Sequence, residues 1–516
     1  MDFHIRIRLQ IWLRRSGLAV VLMVLVFVKS GGAAGKLFPN VIVFLVDDLG
    51  WQDTSVPFHS EITPLNRRYR TPHMEKLAAT GMKFTQAYTS PVCTPTRVSL
   101  MTGLNAARHR VTNWTLRRNT STDEPHPSLI LPDWNVNGLS PKHGVERTVH
   151  AVALPALLRN SGYRTIHVGK AHFAANGTPG ADPLNLGFDV NVAGHAAGAP
   201  GSYLGKASFS SGGADNIWNV PGLETYHGKD IFLSEALTIE ANKAIDQAVK
   251  DSRPFFLYLA HYAVHTPFAV DERFYEAYQS MGLDKTEAMY AAMVEGVDKS
   301  LGDILANVER HGLSDRTVVL FLSDNGGLSA VARGGPAHTH NQPLSSGKGS
   351  AREGGLRVPM LIRWPGLTRP GAVCREAVIV EDLFPTILEI AGIKGFRQVG
   401  GGVDGVSLVP LLKQVSGYPA GRALFWHYPN HWGPTGPGIG PLSAIRHYDW
   451  KLIYYHADQH YELFHLGKDL GELNNLASTE PEVRKKLARR LRTYLIRVRA
   501  QMPMERATLN PVPWPD

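Results

Sequence analysis

Residues 40–48 read Asn-Val-Ile-Val-Phe-Leu-Val-Asp-Asp. From Val41 to Val46 every side chain is apolar, and four of the six are β-branched. A strand with one wet face alternates apolar and polar residues. An unbroken run implies burial on both faces, as in a parallel sheet covered by helices on each side. Runs of the same kind recur at 165–168, 255–260, 318–322 and 360–362. Helical periodicity separates them at 154–160, 234–249, 285–309 and 383–391, and 71–81 reads as a helix with Pro72 in its first turn and Gly81 at its end. Strands alternating with helices predict an α/β fold: a large mixed, mostly parallel sheet sandwiched by helices.

The tail reads differently. Short aromatic-rich strands are expected at 424–427, 443–447, 451–455 and 461–466, then a basic amphipathic helix at 480–500, which makes a smaller C-terminal α+β subdomain. At the other end, Arg6, Arg8, Arg14 and Arg15 precede an apolar run at 18–28 and the small residues Gly31-Gly32-Ala33-Ala34. That pattern is a secretory signal, and its apolar run falls short of the roughly 18 residues of a membrane span. The expected layout is a signal peptide at 1–34, a large α/β domain at 35–420 and the small subdomain at 421–516. The expectation is export, to periplasm or medium, with no stable membrane anchor; an uncleaved anchor is the less favoured alternative. The formal charge is +9, but residues 1–35 hold five Lys/Arg against one Asp, leaving +5 for the remainder. So mild an excess is compatible with anionic substrates and gives no sign of a nucleic-acid partner.

Asp47-Asp48 closes the first strand, and Asp324-Asn325-Gly326-Gly327 closes a later one. Neighbouring side chains on a strand point to opposite faces, so a pair reaches one ion only where the chain leaves the sheet. In open α/β sheets that carboxyl edge is where ligands bind. Three carboxylates and an amide oxygen form a hard, all-oxygen set suited to Ca²⁺, with Mg²⁺ as the alternative. Acidic pairs after strands also cap helices, so either dipeptide alone decides little. The two cysteines are Cys93 and Cys374, and no bridge is expected between them. Cys93 opens Cys93-Thr94-Pro95-Thr96-Arg97, with Thr102-Gly103 following, and Pro95 suits the first turn of a helix whose amides face an anion.

These residues resemble the type I sulfatases of the alkaline phosphatase superfamily, whose signature is C-x-P-x-R followed by T-G. The resemblance extends through Gly169-Lys170-Ala171-His172, His265-Thr266-Pro267-Phe268, Ser323-Asp324-Asn325-Gly326, Gly347-Lys348-Gly349 and a late Phe464-His465-Leu466 segment. Departures are Thr96, where serine is commoner, and Phe464 and His465, where the family has Tyr and Asp. The resemblance implies that a maturation enzyme oxidises Cys93 to formylglycine, whose hydrate is the nucleophile. It implies a metal held by Asp47, Asp48, residue 93, Asp324 and Asn325. Arg97 and Lys170 would hold the nucleophile and Lys348 and His265 the sulfate, with His265 as acid for the leaving alcohol. Asp324 would help deprotonate the attacking hydroxyl, and His172 would collapse the sulfated intermediate. The implied substrate is a sulfated small molecule or saccharide. A phosphate or phosphonate monoester hydrolase of the same superfamily is the nearest alternative; Asn325, where phosphonate hydrolases carry His, favours the sulfatase. An inactive sulfated-glycan-binding homologue is the other, and the full residue set counts against it. Residues near 109–114, 333–340 and 426–432 either line a sugar pocket or pack as ordinary loops.

Overall fold

The computed structural model describes residues 38–213, 215–395 and 402–516. The expected signal peptide lies outside them. The main sheet has nine strands: Asn40–Val46 (β1), Met82–Tyr88 (β2), Arg164–Gly169 (β3), Val190–Val192 (β4), Phe255–Ala260 (β5), Thr317–Ser323 (β6), Arg357–Arg363 (β7), Ala372–Cys374 (β8) and Val378–Ile379 (β9). Their order is β8-β2-β7-β6-β1-β5-β3-β4, with β9 also paired to β2. Every pairing is parallel except those of β7 with β2 and β6. The mostly parallel α/β sandwich expected from the sequence is therefore the fold.

β1 occupies the centre because both of its faces are apolar. Val41, Val43 and Leu45 pack with Val98, Leu154 and Leu383 on one side. Ile42, Phe44 and Val46 pack with Leu237, Tyr290 and Val297 on the other. Burying such side chains is worth about 1.5–3 kcal/mol each, so this one strand anchors both layers. The helices Leu233–Lys250 and Lys285–Arg310 cover the second face, and Cys93–Thr102 and Leu383–Ile390 the first. β2 escapes the sequence reading. In Met-Lys-Phe-Thr-Gln-Ala-Tyr, Lys83, Thr85 and Gln86 stay partly exposed, so no apolar run forms to reveal a buried strand.

Four antiparallel strands follow: Leu424–Tyr428 (β10), Leu442–His447 (β11), Trp450–Tyr455 (β12) and Tyr461–His465 (β13). The helix Pro481–Arg497 packs Leu487, Leu491 and Leu495 against Ile445, Leu452 and Leu463 on one face of this sheet. Leu442, Ala444, Ile453 and Phe464 on the other face join the main core. A buried ion network adds to that seam: Lys451 Nζ lies 3.0 Å from Glu353 and 2.9 Å from Glu472. Residues 38–516 accordingly form a single compact unit, in which the small sheet is a subdomain.

Candidate active site

Register brings the chemistry to one edge. Val46 of β1 lies opposite Ser323 of β6, and Leu45 lies opposite Ala260 of β5, which itself faces Gly169 of β3. All four strands run the same way, so Asp47, Asp324, Lys170 and the 261–265 loop emerge side by side. The backbone locks them there: Asp324 N–H donates to Val46 O at 3.1 Å, and Lys170 N–H to Ala260 O at 2.8 Å. Two backbone kinks finish the aim. Asp48 sits at φ 60°, a left-handed conformation that turns the second carboxylate off the strand direction. Gly169 has φ +98°, and a Cβ there would lie 2.0 Å from Ala260 O, so only glycine lets β3 deliver Lys170.

The helix Cys93–Thr102 begins at Cys93 itself, and the side chain of Val92 before it makes no capping hydrogen bond. Its first amides are therefore left for an anion, as Pro95 suggested. Cys93 Sγ stands 3.7 Å from Asp47 Oδ1. Asp47, Cys93 and Asp324 offer donor atoms all within 4.8 Å of one another, a group able to hold a metal ion. Arg97 Nη2 lies 2.8 Å from Asp324 Oδ2 and 3.9 Å from Asp47 Oδ1. Lys170 Nζ donates to Asp47 Oδ2 at 2.5 Å, and Lys348 Nζ is 2.7 Å from Asp48 Oδ1. Asn325 Nδ2 donates to Asp48 Oδ1 at 2.7 Å, which leaves Asn325 Oδ1 buried without a partner. His265 Nε2 is 3.7 Å from Asp48 Oδ2. Every residue expected from the sequence except His172 joins this contact network directly.

His172 stands beside it, its Nε2 2.8 Å from Thr115 O and its Nδ1 buried and unpartnered. Nε2 must carry the proton to donate to that carbonyl, so Nδ1 is a free lone pair. Sequence reading misses Thr115, because a backbone carbonyl leaves no side-chain signal. It misses Asp53 as well, which accepts from Tyr290, whose hydroxyl also reaches Asp48 O at 3.3 Å, shoring the Asp48 turn from behind.

Burial dominates the electrostatics, and ion pairs decide the signs. Burial, then Asp324, raises the Asp47 carboxyl well above its usual range. Burial also works to raise Asp48, but Lys348, His265 and Lys170 more than offset it and hold that carboxyl at about 2. Asp324 is likewise lowered, by Arg97 and Lys170 against burial. Burial pushes the Cys93 thiol up to about 12, so as a plain thiol it is a poor nucleophile at neutral pH. His265 falls to about 3 through burial and Lys348, and His172 well below its ordinary value through burial, Lys170 and Arg97.

Comparison with known proteins gives the family. Residues 39–393 match the family model for Sulfatase, and residues 348–501 match N-sulphoglucosamine sulphohydrolase, C-terminal. The chain belongs to the sulfatase family. A sulfatase from Formosa agariphila is 30% identical over 532 residues, covering 92% of each chain. N-acetylgalactosamine-6-sulfatase from Rattus norvegicus is 29% identical over 494 residues, covering 87% of this chain and 84% of the rat protein. Among solved structures, Ps i-CgsB in complex with k-i-k-neocarrahexaose superposes with a TM-score of 0.68 at 25% identity, covering 89% of this chain and 93% of that one.

In this sulfatase several residues weighed for a sugar pocket pack inward instead. Arg333 pairs with Glu287 at 2.6 Å and lies 3.6 Å above the Tyr290 ring. Trp426 is buried and donates to Thr89 O. His109 accepts from Val111 N–H at Nδ1 (3.0 Å) and meets Ser99 Oγ at Nε2 (3.1 Å), which fixes the neutral tautomer. Burial lowers its pKa to about 3. A histidine depressed this way contributes stability above the unfolded value near 6.5 and loses it as pH falls toward 3. The wild type should therefore lose about 2 kcal/mol more than a His109→Gln variant between pH 7.5 and 5, read by urea melts at both pH values.

Proposed function

We propose that this sulfatase hydrolyses sulfate monoesters of saccharides through a formylglycine made from Cys93, with Ca²⁺ at the carboxylate cluster. The observation that carries the reading is the charge balance around Cys93. Three carboxylates, Asp47, Asp48 and Asp324, face three cations, Arg97, Lys170 and Lys348, all buried. Their formal charges cancel. A divalent cation adds two positive charges, which one sulfate monoester anion and one ionised hydroxyl on residue 93 would neutralise. Unpaired charge in such a site is costly, so the cluster suits metal, anionic ester and ionised nucleophile together better than any one alone.

The residues fit the ion. Asp47, Asp48, Asp324 and the partnerless Asn325 Oδ1 are hard oxygen donors, a set suited to Ca²⁺ or Mg²⁺. Bound there, such an ion supplies Lewis acidity toward a sulfate oxygen and the nucleophilic hydroxyl. The hydrated formylglycine supplies two hydroxyls on one carbon, one to attack sulfur and one whose deprotonation expels sulfate.

The remaining steps belong to the chain's own groups. Arg97 and Lys170 fix the orientation of residue 93, and Asp324 helps draw off the proton of the attacking hydroxyl, which passes on to solvent. Lys348 stabilises charge on the sulfate oxygens. His265 Nδ1 faces Thr266 O at 2.7 Å and takes the donor role there, so Nε2 is the nitrogen turned to the site. An anionic ester against Nε2 draws a proton onto it, and that proton passes to the leaving oxygen. His172 Nδ1, with its free lone pair, removes the proton of the second hydroxyl. His265→Ala should slow hydrolysis of an alkyl or sugar sulfate by about 10²–10⁴-fold, because the alcohol then leaves without a proton. It should barely change 4-nitrophenyl sulfate, whose leaving group needs none. Equal losses on both would remove the acid role from His265.

The saccharide substrate draws support from the named relatives, one an N-acetylgalactosamine-6-sulfatase and one solved with a neocarrahexaose. Export through the 1–34 signal, maturation by a formylglycine-generating enzyme and division of the mature chain near residue 420 complete the reading. Among the described residues no helix is long and apolar enough to cross a membrane. The test is a rate comparison on aryl sulfate and aryl phosphate. A large preference for sulfate is expected; a strong preference for phosphate would make the protein a phosphate or phosphonate ester hydrolase instead.

A further inference from the structure

Outside the active site, charge is distributed unevenly. The helix Pro481–Arg497 carries seven Lys/Arg and one Glu, a net of +6. The chain is +9 overall and residues 1–35 account for +4, so everything else nets −1. The positive excess of the mature protein is thus the property of one helix. Its apolar residues face the small sheet, while Lys485, Lys486, Arg489, Arg490 and Arg497 are exposed and line a groove of about 860 Å³. Phe425 and Tyr494, stacked 3.9 Å apart at 4°, also line it.

These cations are poorly neutralised. Among the described residues no carboxylate lies within salt-bridge distance of Lys486, Arg489 or Arg497, and Lys485 reaches only Glu482, at 3.3 Å. Arg490 donates to the lone pair of His447 Nε2 at 2.9 Å, a neutral partner. His447 itself is lowered by burial, then by Arg490 and Lys486, as expected beside unbalanced positive charge. Lys485 with Arg489 and Lys486 with Arg490 are like-charge pairs at i, i+4, which repel at a small cost for each pair. Lys485 to Arg497 spans about 18 Å of helix, long enough to meet several charges of an extended polyanion at once.

A strand of the small sheet leads from the groove toward the 113–115 loop, with Phe425 on the face packed by the helix and Tyr428 on the opposite face, against the main core. β10 holds Phe425 at the groove and ends at Tyr428, about 10 Å further along. The Tyr428 hydroxyl donates to Asn113 Oδ1 at 3.1 Å, two residues before Thr115, whose carbonyl holds His172.

We propose that the groove of the Pro481–Arg497 helix is a second binding site, which holds the anionic chain of a sulfated polysaccharide while one of its sulfate esters is cut at residue 93. This rests on the saccharide reading above. Charge selects a polyanion over a neutral glycan, and the enzyme's own substrate class selects a sulfated one. The test uses the full-length enzyme, the variant Lys485→Ser/Lys486→Ser/Arg489→Ser/Arg490→Ser and the milder pair Lys486→Ser/Arg490→Ser. Dextran sulfate, uncharged dextran, phosphatidylserine vesicles and duplex DNA are the probes, at several salt concentrations. The wild type should bind dextran sulfate more tightly than the other three, with affinity that falls steeply with salt as counterions return. The fourfold variant should bind it at least tenfold more weakly with a shallower salt dependence, the double variant should lie between, and both should keep wild-type kcat/KM on 4-nitrophenyl sulfate. Undiminished binding by the variants would overturn the proposal, as would vesicles or DNA bound as tightly as dextran sulfate. Failure of the wild type to cleave aryl sulfate would instead strike the proposed function, and the binding comparison would still report on the groove.

Discussion

Replacing Cys93 with alanine should lower kcat/KM for an aryl sulfate by on the order of 10⁵-fold, the scale on which loss of a covalent nucleophile falls. Stability should change by only about 1 kcal/mol, since the substitution removes one small buried side-chain group and no charge. Cys93→Ser is the more telling variant. A serine hydroxyl in the same place attacks sulfur but has no second hydroxyl to expel the sulfate. The expected result is a burst of about one sulfate-ester turnover per enzyme, then near-complete arrest, with a sulfated serine side chain at position 93 visible by mass spectrometry. Steady turnover by the serine variant would mean that water, not the second hydroxyl, releases sulfate.

Asp324→Ala should damage fold and activity together. Arg97 is fully buried, with Asp324 at 2.8 Å and its next carboxylate, Asp47, at 3.9 Å. Removing Asp324 leaves that guanidinium with one distant carboxylate and the Lys170 carbonyl, which Nη1 meets at 2.8 Å, a loss of about 3–5 kcal/mol by the usual cost of breaking a buried pair. The carboxylate is also a proposed metal donor and proton acceptor, so activity should fall on the order of 10³-fold or more. Asp324→Asn keeps an oxygen and the side-chain shape while removing the charge, and should recover part of the stability but little activity. Denaturant melts and aryl sulfate kinetics on the two variants separate these effects. If Asp324→Ala were as stable as wild type, Arg97 would not depend on Asp324 for its burial.

What could be read from the sequence follows from how each feature is encoded. β1, β5 and β6 are buried on both faces, so composition alone marks them. The cysteine, lysines, histidines and carboxylates of the expected site lie in short motifs, and the resemblance assigns them before any geometry is known. What the sequence hides is what depends on partners. β2 has a polar outer face and gives no apolar run. The antiparallel direction of β7 is a property of pairing, which no single strand records. Thr115 acts through its carbonyl, and the turn at Asp48 through a backbone angle. His109 and Arg333 are ordinary surface-type residues by composition and become internal struts only through Ser99 and Glu287. The basic helix stands out as a pattern, but its unneutralised face appears only once the neighbouring carboxylates are located.

Residue 93 offers the most direct measurement. Preparations made with graded amounts of maturation enzyme should be digested, the peptide spanning Cys93 weighed, and the same samples assayed on 4-nitrophenyl sulfate. Turnover should rise in proportion to the fraction of chains in which residue 93 has lost its sulfur and gained an aldehyde. Full activity in a preparation whose residue 93 is wholly a thiol would contradict the mechanism.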